Sequence, residues 1–300
     1  MYHKTEHIYS LNKDGFHKIV FRLYSKSSNL KKRCILCLHP IFFNKNLFNI
    51  IAPKLIKYAT VVTPDYIGHG DSDCLYDSKK YTYSGIALDF CALLNYVHAE
   101  ETVIIGSSMG GLSALMLATK LHNIKGIIMG DIGHEISKQL VLSIESTHSR
   151  YKYAQRILHY FPSFATFLSN NCFGAEVKND YYKIYKRLFS WIFTKRKGVL
   201  SLTHDLHYLT AFKQEILSYE EFTSNKEAVI DLSMYMSKFK NPILLLASES
   251  QKYLPHVLVL KMLQYSNVEF SRVPNSTHPL FFHSNTEYRL INRWLQNIWT

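Results

Sequence analysis

Three kinds of side chain in this sequence could together carry out acyl transfer. The first is a serine. Val103-Ile104-Ile105-Gly106-Ser107-Ser108-Met109-Gly110-Gly111-Leu112 is a β-branched apolar run, then glycines around a serine, then an alanine- and leucine-rich segment. This reads as strand, tight turn and helix with Ser108 at the apex. A serine there is held in a strained backbone with its hydroxyl clear of the sheet edge. The helix behind it points N–H groups and its positive dipole end at the place where negative charge would develop. A hydroxyl is a poor nucleophile without a base within hydrogen-bond reach. Of fifteen histidines, His278 is the strongest candidate, because it lies in a loop directly after an apolar run near the C-terminus. The base needs a carboxylate behind it. Two convergent backbone N–H groups are needed for an oxyanion. Met109 supplies one. Pro40 has no N–H, so Ile41, in the loop after His39, is expected to supply the other.

The elements that must position these groups are legible in outline. Residues 1–33 suggest an opening hairpin, and Cys34–Leu38 a short buried strand ending at His39-Pro40. Asn46–Lys57 reads as a helix in which Pro53 requires a break, a kink or a late first turn. Ala59–Pro64 is a strand, followed by the glycine-rich loop Asp65–Ser72. Tyr83–His98 and Leu112–Leu121 have helical patterning. Ile124–Met129 is a strand that leads into Asp131. Strands alternating with helices imply a parallel sheet with its site at the carboxyl ends of the strands. From Glu135 to Met236 the chain reads as helical, aromatic and basic, with no strand expected. The α/β pattern returns at Ile243–Ala247 and Val268–Val273, and Glu287–Trp299 is expected to close the chain as a helix. The expected organisation is therefore a core of 1–134 and 237–300, interrupted by a helical lid, 135–236.

Composition sets bounds on partners. The formal net charge is +12. Between Arg150 and Lys197 ten Lys and Arg residues face only Glu176 and Asp180. Such a segment is either a solvated surface or a landing site for an acidic partner or an anionic membrane. Cys34 and Cys37 should point to opposite faces of their strand, which argues for reduced, buried thiols and a cytoplasmic setting. No apolar run is long enough to span a bilayer, and the N-terminus lacks a signal-peptide layout. No zinc-ligand spacing or dinucleotide fingerprint is present, so no cofactor or metal is expected. No motif accompanies the charge to suggest nucleic acid.

These motifs resemble the α/β-hydrolase superfamily. Leu38-His39-Pro40-Ile41 is similar to its Leu-His-Gly-x loop, and Asp65–Ser72 to Asp-x-x-Gly-x-Gly-x-Ser. Gly106–Gly110 resembles the nucleophile elbow, Asp131-Ile132-Gly133-x-Glu135 the Asp-Ile-Gly-Pro-Glu stretch, and Thr277-His278-Pro279 the histidine region. The resemblance spans about residues 30–135 and 240–300. It implies an α/β-hydrolase fold with an inserted lid and a Ser–acid–His triad, while the neighbours of His39, at the end of its strand, suit a loop-shaping role. Two departures stand out. Pro40 replaces a glycine, and the family's usual aspartate after the Ala247 strand falls on Gln251 or Lys252. A cation there could not steady an imidazolium. Some members take the acid from the strand ahead of Asp131, so Asp131, Glu249 or no functional acid are the open readings.

The resemblance implies a serine hydrolase of a carboxylic ester or thioester. The basic lid suggests an acyl group presented by an acidic carrier protein or coenzyme A. A weaker alternative is peripheral membrane contact through the aromatic–basic run Tyr181–Phe193. A different class of function, a catalytically weakened hydrolase fold used for binding, is suggested by the missing aspartate and Pro40.

Overall fold

The fold is assembled around the apolar run that precedes Ser108. In the computed structural model, the described residues are 2–12, 15–26, 32–157, 193–196, 199–205, 207–208, 228–249, 253–276, 278–280 and 284–299. Strand β5 (Glu101–Ser107) lies mid-sheet, and Val103, Ile104 and Ile105 are fully buried. A parallel strand covered on both faces needs an apolar run without polar alternation. Each such side chain contributes roughly 1.5–3 kcal/mol through burial.

The main sheet has eight strands in the order β1-β2-β4-β3-β5-β6-β11-β12. β1 (Tyr2–Asn12) and β2 (Gly15–Ser25) form the expected hairpin, and β2 also pairs antiparallel with β4 (Thr60–Pro64). β3 (Arg33–Leu38), β4, β5, β6 (Ile124–Gly130), β11 (Ile243–Ser248) and β12 (Val268–Val273) run parallel. The core lies on both sheet faces, as strand alternation requires. Cys34, Leu36 and Ile104 pack on one face, and Ile35, Cys37, Val103 and Ile105 on the other. Cys34 and Cys37 are thus free, buried and on opposite faces.

Helices cover the two faces. α2 (Tyr83–Tyr96) is capped by Thr82, whose side chain accepts the Gly85 N–H. α3 (Met109–Ala118) begins directly after Ser108, three residues earlier than Leu112, where its apolar patterning starts, and all ten of its residues are buried. A helix apolar on every side belongs inside a core. The closing helix, Asn285–Ile298, is fixed at its start by a reciprocal Ser284–Glu287 capping box. Asn46–Lys57 does not form one helix. Pro53 sits in the first turn of the short α1 (Ala52–Leu55), the late first turn among the expected outcomes, after a single 3-10 turn at Lys45–Phe48, where its missing N–H costs nothing.

The expectation of an all-helical stretch at 135–236 is corrected. β7 (Glu135–Ser137) pairs antiparallel with β10 (Ala228–Asp231), and β8 (Phe193–Arg196) with β9 (Val199–Leu202). These strands are three or four residues long, too short to show a period of two in the sequence. α4 (Lys138–Ile157) is helical as expected. Most of the basic segment, including Lys183, Lys186 and Arg187, lies outside the described residues.

The elbow depends on the absence of two β-carbons. A Cβ on Gly106 would lie 2.2 Å from the Gly110 carbonyl oxygen, and one on Gly110 would lie 2.1 Å from the Leu38 carbonyl oxygen. Both obstacles are backbone and cannot swing aside. Gly110→Ala should therefore destabilise the protein by about 3 kcal/mol or more, at the upper end of overpacking costs. A urea titration would show it as a lower midpoint, and an unchanged midpoint would mean that α3 sits further from β3 than described.

Candidate active site

Ser108 sits where β5 turns into α3, with φ +52° and ψ −121°. L-residues rarely adopt this conformation, which is maintained only when surrounding packing over-determines it. Its N–H donates to the Gly130 carbonyl at 2.9 Å, which ties the elbow to the end of β6. Its carbonyl accepts the Gly111 N–H at 2.8 Å. The residue that follows β6, Asp131, also has a left-handed backbone, φ +57°. Its N–H donates to the Leu246 carbonyl of β11 at 2.7 Å.

Asp131 meets His278. The Asp131 carboxylate has no solvent exposure, and its Oδ2 lies 2.8 Å from His278 Nδ1. Two further donors come from the end of β11. The Ser248 N–H reaches Oδ1 at 2.9 Å and the Ser248 hydroxyl reaches Oδ2 at 2.8 Å. Burial alone would push the Asp131 carboxyl up. His278 and the Ser248 donors outweigh it and hold the pKa below the ordinary 3.8. The imidazole of His278 also stacks on Tyr253, with ring centroids 3.6 Å apart and planes 25° apart.

Of the open readings for the acid, this geometry pairs Asp131 with the imidazole. Glu249 is exposed and turned to another task. Its carboxylate accepts the Asn275 N–H at 2.8 Å, and its own N–H donates to Ser276 Oγ at 3.3 Å. It braces the loop that carries His278 without touching the ring. Ser108 and His278 are both anchored to the end of β6, through Gly130 and Asp131, but the two are not hydrogen-bonded to each other. Such contacts often close only when substrate is bound.

Both expected oxyanion donors are open. Among the described residues, no hydrogen bond takes up the N–H of Met109 or of Ile41. The loop that carries Ile41 is shaped by His39. His39 Nδ1–H donates to the Pro40 carbonyl at 2.8 Å, and Nε2 accepts the Tyr66 N–H at 3.2 Å. Burial pushes its pKa down to about 3, so the ring stays neutral and keeps this tautomer. Asp65 pins the glycine-rich loop to the same region. It is buried and accepts Lys45 N–H and Lys45 Nζ, each at 2.6 Å, and the Asp71 N–H at 2.9 Å.

Part of the 135–236 segment docks over this loop. Gly70 N–H donates to Thr203 O at 2.7 Å, and Asp205 N–H to Gly68 O at 2.8 Å. Tyr208 packs edge-on against His69 and places its hydroxyl 3.6 Å from Met109 Sδ. Sequence reasoning missed Ser248, Tyr253 and Tyr208. Ser248 did carry a signal, because it ends the strand that would neighbour Asp131. No period or motif marked the other two.

The comparisons agree with this architecture. The model of the Alpha/beta hydrolase family matches residues 35–289. The chain is 26% identical over 128 residues to the 3-hydroxybutyrate-oligomer hydrolase of Cupriavidus necator, covering 42% of this chain and 43% of that protein. It is 34% identical over 86 residues to the sn-1-specific diacylglycerol lipase ABHD11 of Mus musculus, covering 28% of this chain and 27% of that protein. The matches thus span less than half the length of these curated relatives. The crystal structure of an alpha/beta hydrolase from Novosphingobium aromaticivorans superposes with a TM-score of 0.70 at 21% identity, covering 97% of this chain and 98% of that one. At that identity the likeness speaks to the fold.

The buried carboxylate makes acid sensitivity specific. Because the folded pKa of Asp131 is depressed, its stabilising contribution is complete above the ordinary carboxylate value. It is lost as pH falls through the folded value. Urea midpoints measured from neutral pH down to about pH 2 should fall for the wild type below 3.8. Asp131→Asn should start from a lower midpoint at neutral pH and lose less on acidification. Parallel acid limbs for the two proteins would contradict a paired, ionised Asp131.

Proposed function

The chain belongs to the α/β hydrolase family, and we propose that it is a serine hydrolase of carboxylic esters or thioesters. The single observation that carries this reading is the Asp131–His278 hydrogen bond at 2.8 Å, beside a serine in the strained elbow conformation. Asp131 holds the imidazole with Nδ1–H toward the carboxylate, which leaves Nε2 as the base. Ser108 Oγ attacks the acyl carbonyl while Nε2 takes its proton. Charge on the tetrahedral oxygen is met by the N–H groups of Met109 and Ile41. The imidazolium then protonates the departing alkoxide or thiolate, leaving the acyl group on Ser108. Water, deprotonated by the same nitrogen, releases the acid and restores the serine.

Several features support an ester-type substrate. A lipase and an oligomer hydrolase are among the sequence relatives. Tyr208 lies against Met109 and His69 beside the elbow, and Phe42 packs on His204 nearby. The basic excess between Arg150 and Lys197 favours an anionic leaving group, such as an acyl carrier or coenzyme A. That refinement rests on charge alone. No cofactor step is required, since the nucleophile, base and oxyanion donors all belong to the chain.

Fluorophosphonate labelling tests the nucleophile directly, because only an activated serine reacts rapidly. The wild type should be labelled and should hydrolyse short p-nitrophenyl esters. Ser108→Ala should lose the label and at least about a thousandfold in kcat/KM. An unlabelled wild type would support the alternative reading of a hydrolase fold used for binding. Labelling that survives in Ser108→Ala would place the nucleophile elsewhere.

A further inference from the structure

The stretch that leaves β11 lacks the aspartate which the family resemblance leads one to expect there. We propose that it supplies two positioning residues instead, Ser248 for the Asp131 carboxylate and Tyr253 for the His278 ring. This rests on the reading of Ser108, His278 and Asp131 given above and adds to it.

Ser248 is fully buried at the last position of β11. Its two donors bind both oxygens of one carboxylate. A carboxylate gripped at both oxygens cannot rotate about its Cβ–Cγ bond. The oxygen that receives the Ser248 hydroxyl, Oδ2, also faces His278 Nδ1, so this grip sets the direction of the catalytic hydrogen bond. An acid placed after β6 with no solvent exposure must be kept ionised and correctly turned by its protein neighbours. A buried carboxylate pays for its lost hydration only through such donors.

Tyr253 acts on the other partner. It is only half-buried, so core packing does not account for its position. Its ring lies nearly parallel to the imidazole at stacking distance. The face of a phenol ring carries partial negative charge and attracts cations. His278 is neutral before attack and cationic in the transition state. A stacked tyrosine therefore fixes the ring plane in the resting enzyme and favours the charged form as the reaction proceeds. Neither residue touches substrate in this account, and both act through the triad.

The test measures kcat and KM with p-nitrophenyl butyrate, fluorophosphonate labelling rates, and the far-downfield proton NMR signal of the His278 Nδ1–H. The proteins are the wild type, Ser248→Ala, Tyr253→Leu and Tyr253→Phe. Ser248→Ala is expected to lower kcat by about 10- to 100-fold, the scale of a hydrogen bond to a charged group, and to move the downfield proton. Tyr253→Leu is expected to lower kcat by about 3- to 10-fold, and Tyr253→Phe, which keeps the stack, to restore it to within about twofold. KM should change little in all three, because the lost interactions are made to the triad. Wild-type turnover and an unmoved proton in Ser248→Ala and Tyr253→Leu would overturn the proposal. So would a Tyr253→Phe variant as slow as Tyr253→Leu. A wild type that resists the fluorophosphonate would instead overturn the serine-hydrolase reading beneath it.

Discussion

A carboxylate with no exposure to water stands at the end of β6, and the chain is arranged to keep it ionised. Transferring an isolated charge out of water costs far more than a protein's net stability, so a buried acid must be paired or protonated. Asp131 is paired on every side. Ser248 contributes two hydrogen bonds and His278 a third. Its own N–H is tied to Leu246. The sheet order makes this possible. β5, β6 and β11 are consecutive neighbours, so the elbow serine, the acid and its serine clamp end side by side. The loop after β12 then has one strand to cross to bring His278 over the carboxylate.

The second constraint is steric. Ser108 holds a backbone conformation that costs about 1–3 kcal/mol. The three buried side chains of Val103–Ile105 each return roughly 1.5–3 kcal/mol. The strain is thus small beside the packing that imposes it. It persists because α3 is buried all round and approaches β3 and β5 through Gly106 and Gly110 at backbone contact. The strained serine and the open N–H of Met109 are consequences of one close approach. The docking of Tyr208 onto Met109 and His69 adds a cover to the same corner.

Much of this was readable in the residues, and the reasons are local. The parallel strands announce themselves because burial on both faces demands apolar runs such as Val103–Ile105 and Ile243–Ala247. The elbow and the glycine-rich loop announce themselves because only glycine permits the approach. His278 and Asp131 could be shortlisted from their places after strands. What the sequence could not decide was which carboxylate meets the imidazole. Asp131 and Glu249 both follow strands, and only the sheet order and the direction of each loop separate them. Glu249 turns outward to brace Asn275. The strands β7 to β10 escaped because three- or four-residue strands have no period to read. Tyr253 escaped because stacking on a distant histidine leaves no trace in local spacing.

The central claim is a covalent acyl intermediate on Ser108, formed with His278 as base and Asp131 behind it. Acid-quenching the protein within milliseconds to seconds of mixing with p-nitrophenyl butyrate, then mapping its peptides by mass spectrometry, tests this most directly. The account predicts a butyryl mass increment on the peptide that contains Ser108, and a much smaller increment at the same times in Asp131→Asn. Steady release of p-nitrophenol with no acyl mass on that peptide, or with the increment on another residue, would contradict it.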